Sequence, residues 1–466
     1  MVFSSALFLT LFLPFVLGMY FLAQEKWRNL VLLTASLFFY AWGEPAALFV
    51  MIFSIILCYF AAQAIQKYSK WARLILALGV IIHLLILIYY KYWMFLLENL
   101  NRLFDFWELA PVQIPFIALP IGISFYTFQI ISYLIDVYRG QVPAQKNLIS
   151  LATYVSLFPQ LVAGPIVRYE TVMKDMENRH TRMNNIFIGL RRFVVGLAKK
   201  VLIADQMAVI ADTVFNTAPE NLPCCIVWIG TVAYALQIFY DFSGYSDMAI
   251  GIGRIFNFKF LENFNYPYSA HSVQDFWRKW HISLSTWFRD YLYIPLGGNR
   301  CSQFRTYLNG FIVFGLCGLW HGATWNFIVW GLYHGFFLSL EKAGLKKLIN
   351  RLPYVFANLY VWIFVLIGWV IFRSETLSQA KKLLKIMLIG NPHVSLAQFY
   401  PAADFLSYSF LWVFLAGLLF SYPLVPKKYA ALRYSKADCV IMLFLFFITY
   451  VFAITSTFSP FIYFRF

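Results

Sequence analysis

The sequence predicts an all-α polytopic membrane protein. Of its 466 residues, 61% are apolar and 12% are charged, and its mean hydropathy is +0.68. Soluble domains carry about a quarter charged residues, whereas apolar runs of about 18 residues or more are typical of membrane-spanning helices. The apolar runs are continuous rather than alternating, which excludes an outer-membrane β-barrel. The composition also excludes a soluble Rossmann or barrel enzyme, a disordered regulator and a secreted disulfide scaffold.

Taken in order along the chain, eight stretches are long and apolar enough to span a bilayer, namely 3–23, 47–65, 74–97, 116–137, 226–242, 355–372, 407–425 and 438–458. Three others are ambiguous: 29–43 is short, 147–167 is broken by Pro and Gly, and 306–340 is interrupted near position 321. Broken helices at membrane depth need protein or a water-filled cavity around them. We therefore expect about ten to twelve transmembrane or re-entrant helices, with a cavity at the two interrupted regions.

The net charge of +16 comes from basic residues spread through short loops, which favours a positive-inside bias over nucleic-acid binding. This bias places 24–28, 66–73, 168–200 and 259–305 in the cytosol and the N-terminus outside, with 3–23 retained as a first span. A basic inner face would also attract anionic lipid and the phosphates of coenzyme A. The six cysteines lack the spacing of a zinc site, so no bound metal is expected.

Residues 274–291 are predicted to form one amphipathic helix lying at the membrane interface, because apolar and aromatic residues recur there at helical spacing. Its polar residues form a stripe on one face, with steps of four, three, four and four: Gln274, Arg278, His281, Ser285 and Arg289. It is an equally good interpretation that this helix lies on the surface and that its polar face is only exposed to solvent, without a function.

The sequence L-W-H-G-A-T-W at 319–325 places His321 inside the longest apolar region, beside Trp320. An ionisable group at that depth indicates a functional site, and an imidazole can serve as a general base. The alternative is a neutral histidine that forms a hydrogen bond between helices. His83 and His334 are interpreted in that structural way.

A second polar group lies in Y-D-F-S-G-Y-S-D at 240–247, where Asp241 and Asp247 end a predicted span. Buried carboxylates need partners, such as the arginines of the polar stripe or a water-lined path. Structural pairing and catalysis remain equally open. A transporter or flippase with an intramembrane His/Asp proton path is the main alternative function, and a passive scaffold for a polysaccharide synthase is a third.

Several further blocks occur in a fixed order: L-P-I-G-I-S-F-Y-T-F-Q at 119–129, F-P-Q-L-V-A-G-P-I at 158–166, and D-F-W-R-K-W-H-I-S-L-S-T-W-F-R-D-Y-L-Y-I-P-L-G-G-N-R at 275–300. With the two blocks quoted above, they make the chain resemble the membrane-bound O-acyltransferases nearly end to end. Within that family the I-P-L-G-G-N-R run resembles the branch for alginate and other polysaccharides more than the branch for teichoic acid D-alanylation.

The resemblance implies one membrane-embedded O-acyltransferase domain over 1–466 with helices around a central tunnel: N-terminal helices over 1–114, a catalytic core over 115–342 and C-terminal helices over 343–466. It implies catalytic roles for His321 and His281, as base, acyl carrier or orienting group. Asp241, Trp280, Ser285, Trp320, Thr324 and Trp325 are expected to line the tunnel, and Arg278 and Arg289 to bind donor phosphates.

The same resemblance implies transfer of an acyl group, expected to be acetyl, from cytosolic acetyl-coenzyme A, with no bound cofactor. The expected partners are membrane lipid, the acyl-coenzyme A donor and a separate extracytoplasmic acetyltransferase that esterifies polysaccharide. The expected location is the bacterial inner membrane, which the chain would cross many times.

Overall fold

A computed structural model describes residues 1–162, 164–177, 179, 182–392, 394–396, 407–424, 435–455 and 461–462. Within these ranges the chain is helical and contains no β-strand. Its contacts divide it into two units, Met1–Leu190 with Ala249–Leu261, and Arg191–Met248 with Glu262–Phe466. The single domain with boundaries after residues 114 and 342 stays a prediction.

The first unit is built from the N-terminal helices. They are α1 Leu13–Leu22, α2 Arg28–Ala41, α3 Pro45–Lys67, α4 Ala72–Leu87, α5 Trp93–Phe106, α6 Ile123–Tyr138, α7 Leu148–Ser156, α8 Phe158–Leu161 and α9 Tyr169–Glu177. Its core includes a cluster of buried phenylalanine rings from Phe3, Phe8, Phe12, Phe39 and Phe158, whose centroids lie 4.8–6.4 Å apart. His83 is buried in this unit between the carbonyls of Gly79 and Ser54, as predicted for a structural histidine.

Helix α10, Met183–Ala198, carries the chain from the first unit into the second. The following helices are α11 Asp205–Asn216, α12 Cys224–Ile255, α13 Val273–Lys279, α14 Ile282–Phe288, α15 Gln303–His321, α16 Trp325–Leu340, α17 Lys346–Ile349, α18 Tyr354–Arg373, α19 Leu377–Ile389, α20 Tyr408–Phe420 and α21 Lys436–Thr455. Single π-helical turns extend several of them, including Arg289–Tyr293 after α14 and Glu341–Leu345 after α16.

Five helical segments of the described chain are long and apolar enough to cross a membrane, namely Pro45–Lys67, Ser69–Phe106, Cys224–Ile255, Tyr354–Arg373 and Lys436–Thr455. Phe8–Leu22 and Tyr408–Phe420 are apolar but shorter. These segments match predicted spans and identify an all-α polytopic membrane protein. The predicted spans 407–425 and 438–458 end in residues outside the described part. Ala163 of the block at 158–166 also lies outside it.

The span predicted over 116–137 is wrong at its beginning, because the helix starts at Ile123. Residues 109–120 are not helical. Pro115 and Pro120 lack the N–H that a helix interior requires, and Gly122 has a left-handed φ of 75°. A side chain at Gly122 would also meet the carbonyl oxygen of Leu161 at 2.6 Å, so glycine is needed at this close approach.

Candidate active site

Helices α15 and α16 form a tightly packed pair that positions His321. A Cβ at Gly318 would lie 2.1 Å from the carbonyl oxygen of Phe327, and one at Gly331 would lie 2.2 Å from that of Phe314. Glycine therefore allows the two backbones to touch, as small residues do between membrane helices. Helix α15 ends at His321 because the next residue, Gly322, is extended. The break predicted near position 321 is confirmed.

The His321 side chain is buried among aromatic rings. Its ring centroid lies 5.0 Å from that of Trp320, 5.1 Å from that of Trp330 and 5.3 Å from that of Phe372, each in an edge-to-face arrangement. Only 4% of the residue is exposed. Such a pocket excludes bulk water from the imidazole.

The continuous helix predicted over 274–291 is wrong, because the chain breaks at Trp280 and His281 between α13 and α14. His281 has a φ of 42°, which no helix interior accommodates. Residues 263 and 265 supply hydrogen-bond partners to the backbone groups that this break frees. The Ile282 N–H donates to the Asn263 carbonyl at 2.9 Å, and the Asn265 N–H donates to the Lys279 carbonyl at 2.9 Å.

This break turns His281 into the core, where it is completely buried. Its Nδ1 lies 3.1 Å from Asn263 Oδ1, which also accepts the N–H and hydroxyl of Ser283 at 3.2 and 2.9 Å. An amide oxygen only accepts, so Nδ1 carries the proton and Nε2 is the basic nitrogen of the neutral ring. Burial lowers the pKa of His281 to about 3, which keeps the ring neutral at physiological pH.

Trp320 connects the two histidines. Its ring centroid lies 6.0 Å from that of His281 and 5.0 Å from that of His321. His281 therefore reaches the His321 pocket by packing on the indole beside it. Trp280 contributes to the same aromatic core, 5.0 Å from Trp369.

A cavity of about 920 Å³ lies among α13, α14, α15 and α16. Exposed basic residues surround its outer part: Arg278, Arg289, Lys342 and Lys347. Its inner part is lined by buried apolar and aromatic side chains, including Trp277, Val313 and Cys317. The cavity therefore combines a cationic mouth with an apolar interior.

The α15 side of this cavity runs toward His321. Thr306, Gly310, Val313 and Cys317 line it at steps of four, three and four residues, so they share one helix face over ~16 Å. His321 is the next position on that face, about 6 Å further along the axis. On the opposite wall, Trp277 packs on Trp330 at 5.8 Å, and Trp330 packs on His321.

The predicted polar stripe separates into two sets. Gln274, Arg278, Ser285 and Arg289 line the cavity, whereas His281 points into the core. Two predicted tunnel residues, Thr324 and Trp325, are exposed, and Trp325 retains 46% of its accessible surface. The roles of all these residues stay predictions.

The carboxylates of α12 do not pair with the arginines of the stripe, and that expectation is wrong. Asp241 lies 2.9 Å from Lys200, and Asp247 lies 2.6 Å from Lys199 and 2.8 Å from Arg192. Helices α10 and α12 approach closely at Gly196 and Gly244. This close approach places the basic residues at the end of α10 and just after it next to the two carboxylates. Asp241 also accepts the Ile462 N–H at 2.7 Å.

Four contributors were missed by sequence reasoning: Asn263, Trp277, Trp330 and Glu341. Buried Glu341 accepts the N–H groups of Val273 and Gln274 at 2.6 and 3.0 Å and so fixes the start of α13. His334 accepts the indole N–H of Trp277 at 3.1 Å, in agreement with its predicted structural role. Helical spacing alone offered a signal for Trp277, which shares a face with Gln274 and Arg278.

Comparisons with known proteins agree with this architecture. Residues 36–377 match the model of the membrane-bound O-acyltransferase family. The chain is 46% identical to the probable alginate O-acetylase AlgI of Azotobacter vinelandii, over 83% of this chain and 78% of that protein. It is 39% identical to the peptidoglycan O-acetyltransferase of Helicobacter pylori, over 87% and 83% of the two chains. A teichoic acid D-alanyltransferase of Bacillus subtilis is 30% identical over 55% of this chain and 69% of its own.

Proposed function

This chain belongs to the membrane-bound O-acyltransferase family, and from that premise we propose that it moves an acetyl group from cytosolic acetyl-coenzyme A across the membrane for O-acetylation of an extracytoplasmic polysaccharide. It is a multi-pass membrane protein and an O-acyltransferase. The relatives named for alginate and peptidoglycan acetylation support an acetyl group and a polysaccharide acceptor.

The observation that carries the proposal is the cavity whose α15 wall runs from a cationic mouth toward His321. Coenzyme A is a polyanion joined to a long, weakly polar arm that ends in the thioester. Its phosphates suit the exposed Arg278, Arg289, Lys342 and Lys347, and its arm suits the apolar interior. A volume of about 920 Å³ is in the range of sites for ligands of this size.

His321 is the proposed reaction centre. As a base, its imidazole takes the proton of the acceptor hydroxyl while that oxygen attacks the thioester carbonyl, and the coenzyme A thiolate leaves. As an acyl carrier, it attacks the carbonyl itself and passes the acetyl group to the acceptor in a second step. Both roles need a dry, fixed imidazole, and the surrounding rings of Trp320, Trp330 and Phe372 supply that environment.

His281 is proposed to orient Trp320 rather than to touch the substrate. Its Nδ1–H is held by Asn263, and its ring packs against the indole beside His321. Replacing His281 should then lower kcat more than it changes the KM for the donor. Replacing Arg278 or Arg289 at the cavity mouth should instead raise the KM for the donor more than it lowers kcat.

The proposal includes the bacterial inner membrane as the location and a separate extracytoplasmic acetyltransferase or acyl-accepting protein as the partner. Transfer across the membrane then requires acetyl-coenzyme A on one face and the partner on the other. The relatives' names support polysaccharide acetylation.

The test uses proteoliposomes with labelled acetyl-coenzyme A outside. The lumen holds alginate or peptidoglycan oligosaccharides together with periplasmic extract from the source cells. Label in a luminal ester, released by hydroxylamine, is expected for the wild type and absent for His321→Ala. His271→Ala is the matched control, because His271 is an exposed histidine that does not line the cavity.

Equal folding of all variants is checked by size-exclusion chromatography and thermal unfolding. If the His321→Ala variant transfers label as fast as the wild type, the assignment of His321 is refuted. Substrate that enters the lumen without ester formation would favour a transporter. Label bound to the wild-type protein before acceptor is added would identify the acyl carrier, whereas transfer without such label would identify the base.

A further inference from the structure

The first unit contains a second cavity, of about 340 Å³, which the proposed acyl transfer does not use. It lies where the beginnings of α2 and α7 meet the end of α9, and its lining is almost entirely polar. The lining includes Lys26, Arg28, Asn29, Ser150 and Arg179, together with the carboxylates of Glu25 and Glu177. The positive-inside bias predicts that 24–28 and 168–200 face the cytosol.

Arg179 is the central residue of this cavity, with only 7% of its surface exposed. Its guanidinium packs over the ring of Phe258 at 4.6 Å, and its Nη2 donates to Asn29 Oδ1. Its Nε and Nη1 are buried, and neither makes a hydrogen bond within the described chain. Buried charged donors are costly to leave without an acceptor, so such groups call for a ligand.

Arg28 brings a second positive charge to the same place. Its Nη1 donates to the Arg179 carbonyl at 3.3 Å, and both guanidinium groups pack over Tyr20, at 5.3 and 5.8 Å. The buried Nε of Arg28 also lacks a hydrogen bond among the residues that the structure describes. Glu25, at 3.6 Å, is a largely exposed counterion.

The two arginines repel each other across a buried site. Burial, together with the nearby charge of Arg28, lowers the pKa of Arg179. An anion between them would remove this repulsion and satisfy the buried N–H groups. Arginine presents planar, paired donors that match phosphate oxygens better than a lysine ammonium does.

We infer that this cavity binds a phosphate group, with Arg28 and Arg179 as its principal ligands and Lys26 at its rim. The group can belong to an anionic lipid of the inner leaflet or to a soluble phosphate compound. Basic pockets between membrane helices on the cytosolic side bind lipid phosphates in this way. Binding would fix the beginning of α2 against Arg179, a structural role independent of acyl transfer.

The experiment measures the thermal unfolding of the full-length protein in phosphatidylcholine nanodiscs. One arm adds phosphatidylglycerol to the disc, and the other titrates inorganic phosphate and pyrophosphate at constant ionic strength. The wild type should be stabilised in one arm. Arg28→Gln should weaken that ligand's apparent affinity by about tenfold or more, because it removes a charge-assisted contact.

Arg73→Gln is the matched control, since it removes one exposed positive charge from the loop predicted to face the same side and lies outside the cavity. Arg28→Lys keeps the charge but loses the paired donors, and it should recover only part of the affinity. Stabilisation by phosphatidylglycerol alone identifies a lipid, and stabilisation by the soluble ions identifies a free phosphate compound.

The inference is overturned if neither arm stabilises the wild type, if Arg28→Gln responds to the ligand as the wild type does, or if Arg73→Gln loses as much affinity as Arg28→Gln. Acyl transfer is not read out in either arm. Failure of the proposed function therefore cannot be mistaken for failure of this inference.

Discussion

Replacing Asn263 by alanine should destabilise the protein and disorder the site, because one amide oxygen accepts three buried donors. These donors are His281 Nδ1–H, the Ser283 N–H and the Ser283 hydroxyl, at 3.1, 3.2 and 2.9 Å. A buried donor left without an acceptor costs about 1–3 kcal/mol. The hydroxyl can rotate to another acceptor, but the other two donors cannot, so the expected loss is about 3 kcal/mol.

Ser283→Ala provides the matched comparison. It removes one of the three donors and leaves the acceptor with two, so its cost should be about 1 kcal/mol. Both variants keep the bond from the Ile282 N–H to the Asn263 carbonyl, and the break between α13 and α14 is thus retained in each. The difference between their free energies of unfolding therefore reports what the Asn263 amide oxygen contributes beyond its bond to the Ser283 hydroxyl.

The free energy of unfolding is measured by equilibrium titration with sodium dodecyl sulfate in mixed micelles, and acetyl transfer is measured in proteoliposomes. Asn263→Ala should also lose transfer activity, because the tautomer of His281 and its packing on Trp320 are no longer fixed. Equal free energies of unfolding for Asn263→Ala and Ser283→Ala would refute the reasoning. So would full activity of Asn263→Ala.

Three further outcomes are expected. Gly318→Ala should destabilise the α15–α16 pair by about 1–3 kcal/mol, because its Cβ would meet Phe327 at 2.1 Å. Gly315→Ala is the control, because its Cβ would lie 3.7 Å from the nearest neighbour, and it should fold normally in the same unfolding titration. Lys342→Gln should raise the KM for acetyl-coenzyme A about fivefold without changing kcat, and an effect that does not shrink with added salt would contradict an electrostatic role. Because the pKa of His281 is about 3 in the folded chain and 6.5 in the unfolded chain, only the unfolded chain binds this proton between those values. Stability should therefore fall below pH 6.5 by up to about 1.4 kcal/mol per pH unit, and His281→Gln should remove that part of the pH dependence.

Composition and apolar run length were sufficient to predict the fold class and most spans, because burial in lipid depends on local sequence. The spans predicted at 47–65 and 355–372 match helices to within a few residues. The start of the 116–137 span failed because proline outweighs hydropathy in deciding where a helix begins. The break after His321 was predictable, since Gly322 follows it directly.

The sequence by itself determined that an ionisable His321 lies in an apolar region and that basic residues gather near 278–289. Both are properties of residues close together in the chain. Only the tertiary structure decided that Lys200 reaches Asp241, that Asn263 holds His281, and that the helix predicted over 274–291 breaks at that histidine. Helical periodicity assumes that each backbone group bonds within its own helix. When a distant segment offers better partners, as residues 263–265 do here, long-range hydrogen bonds override the local pattern.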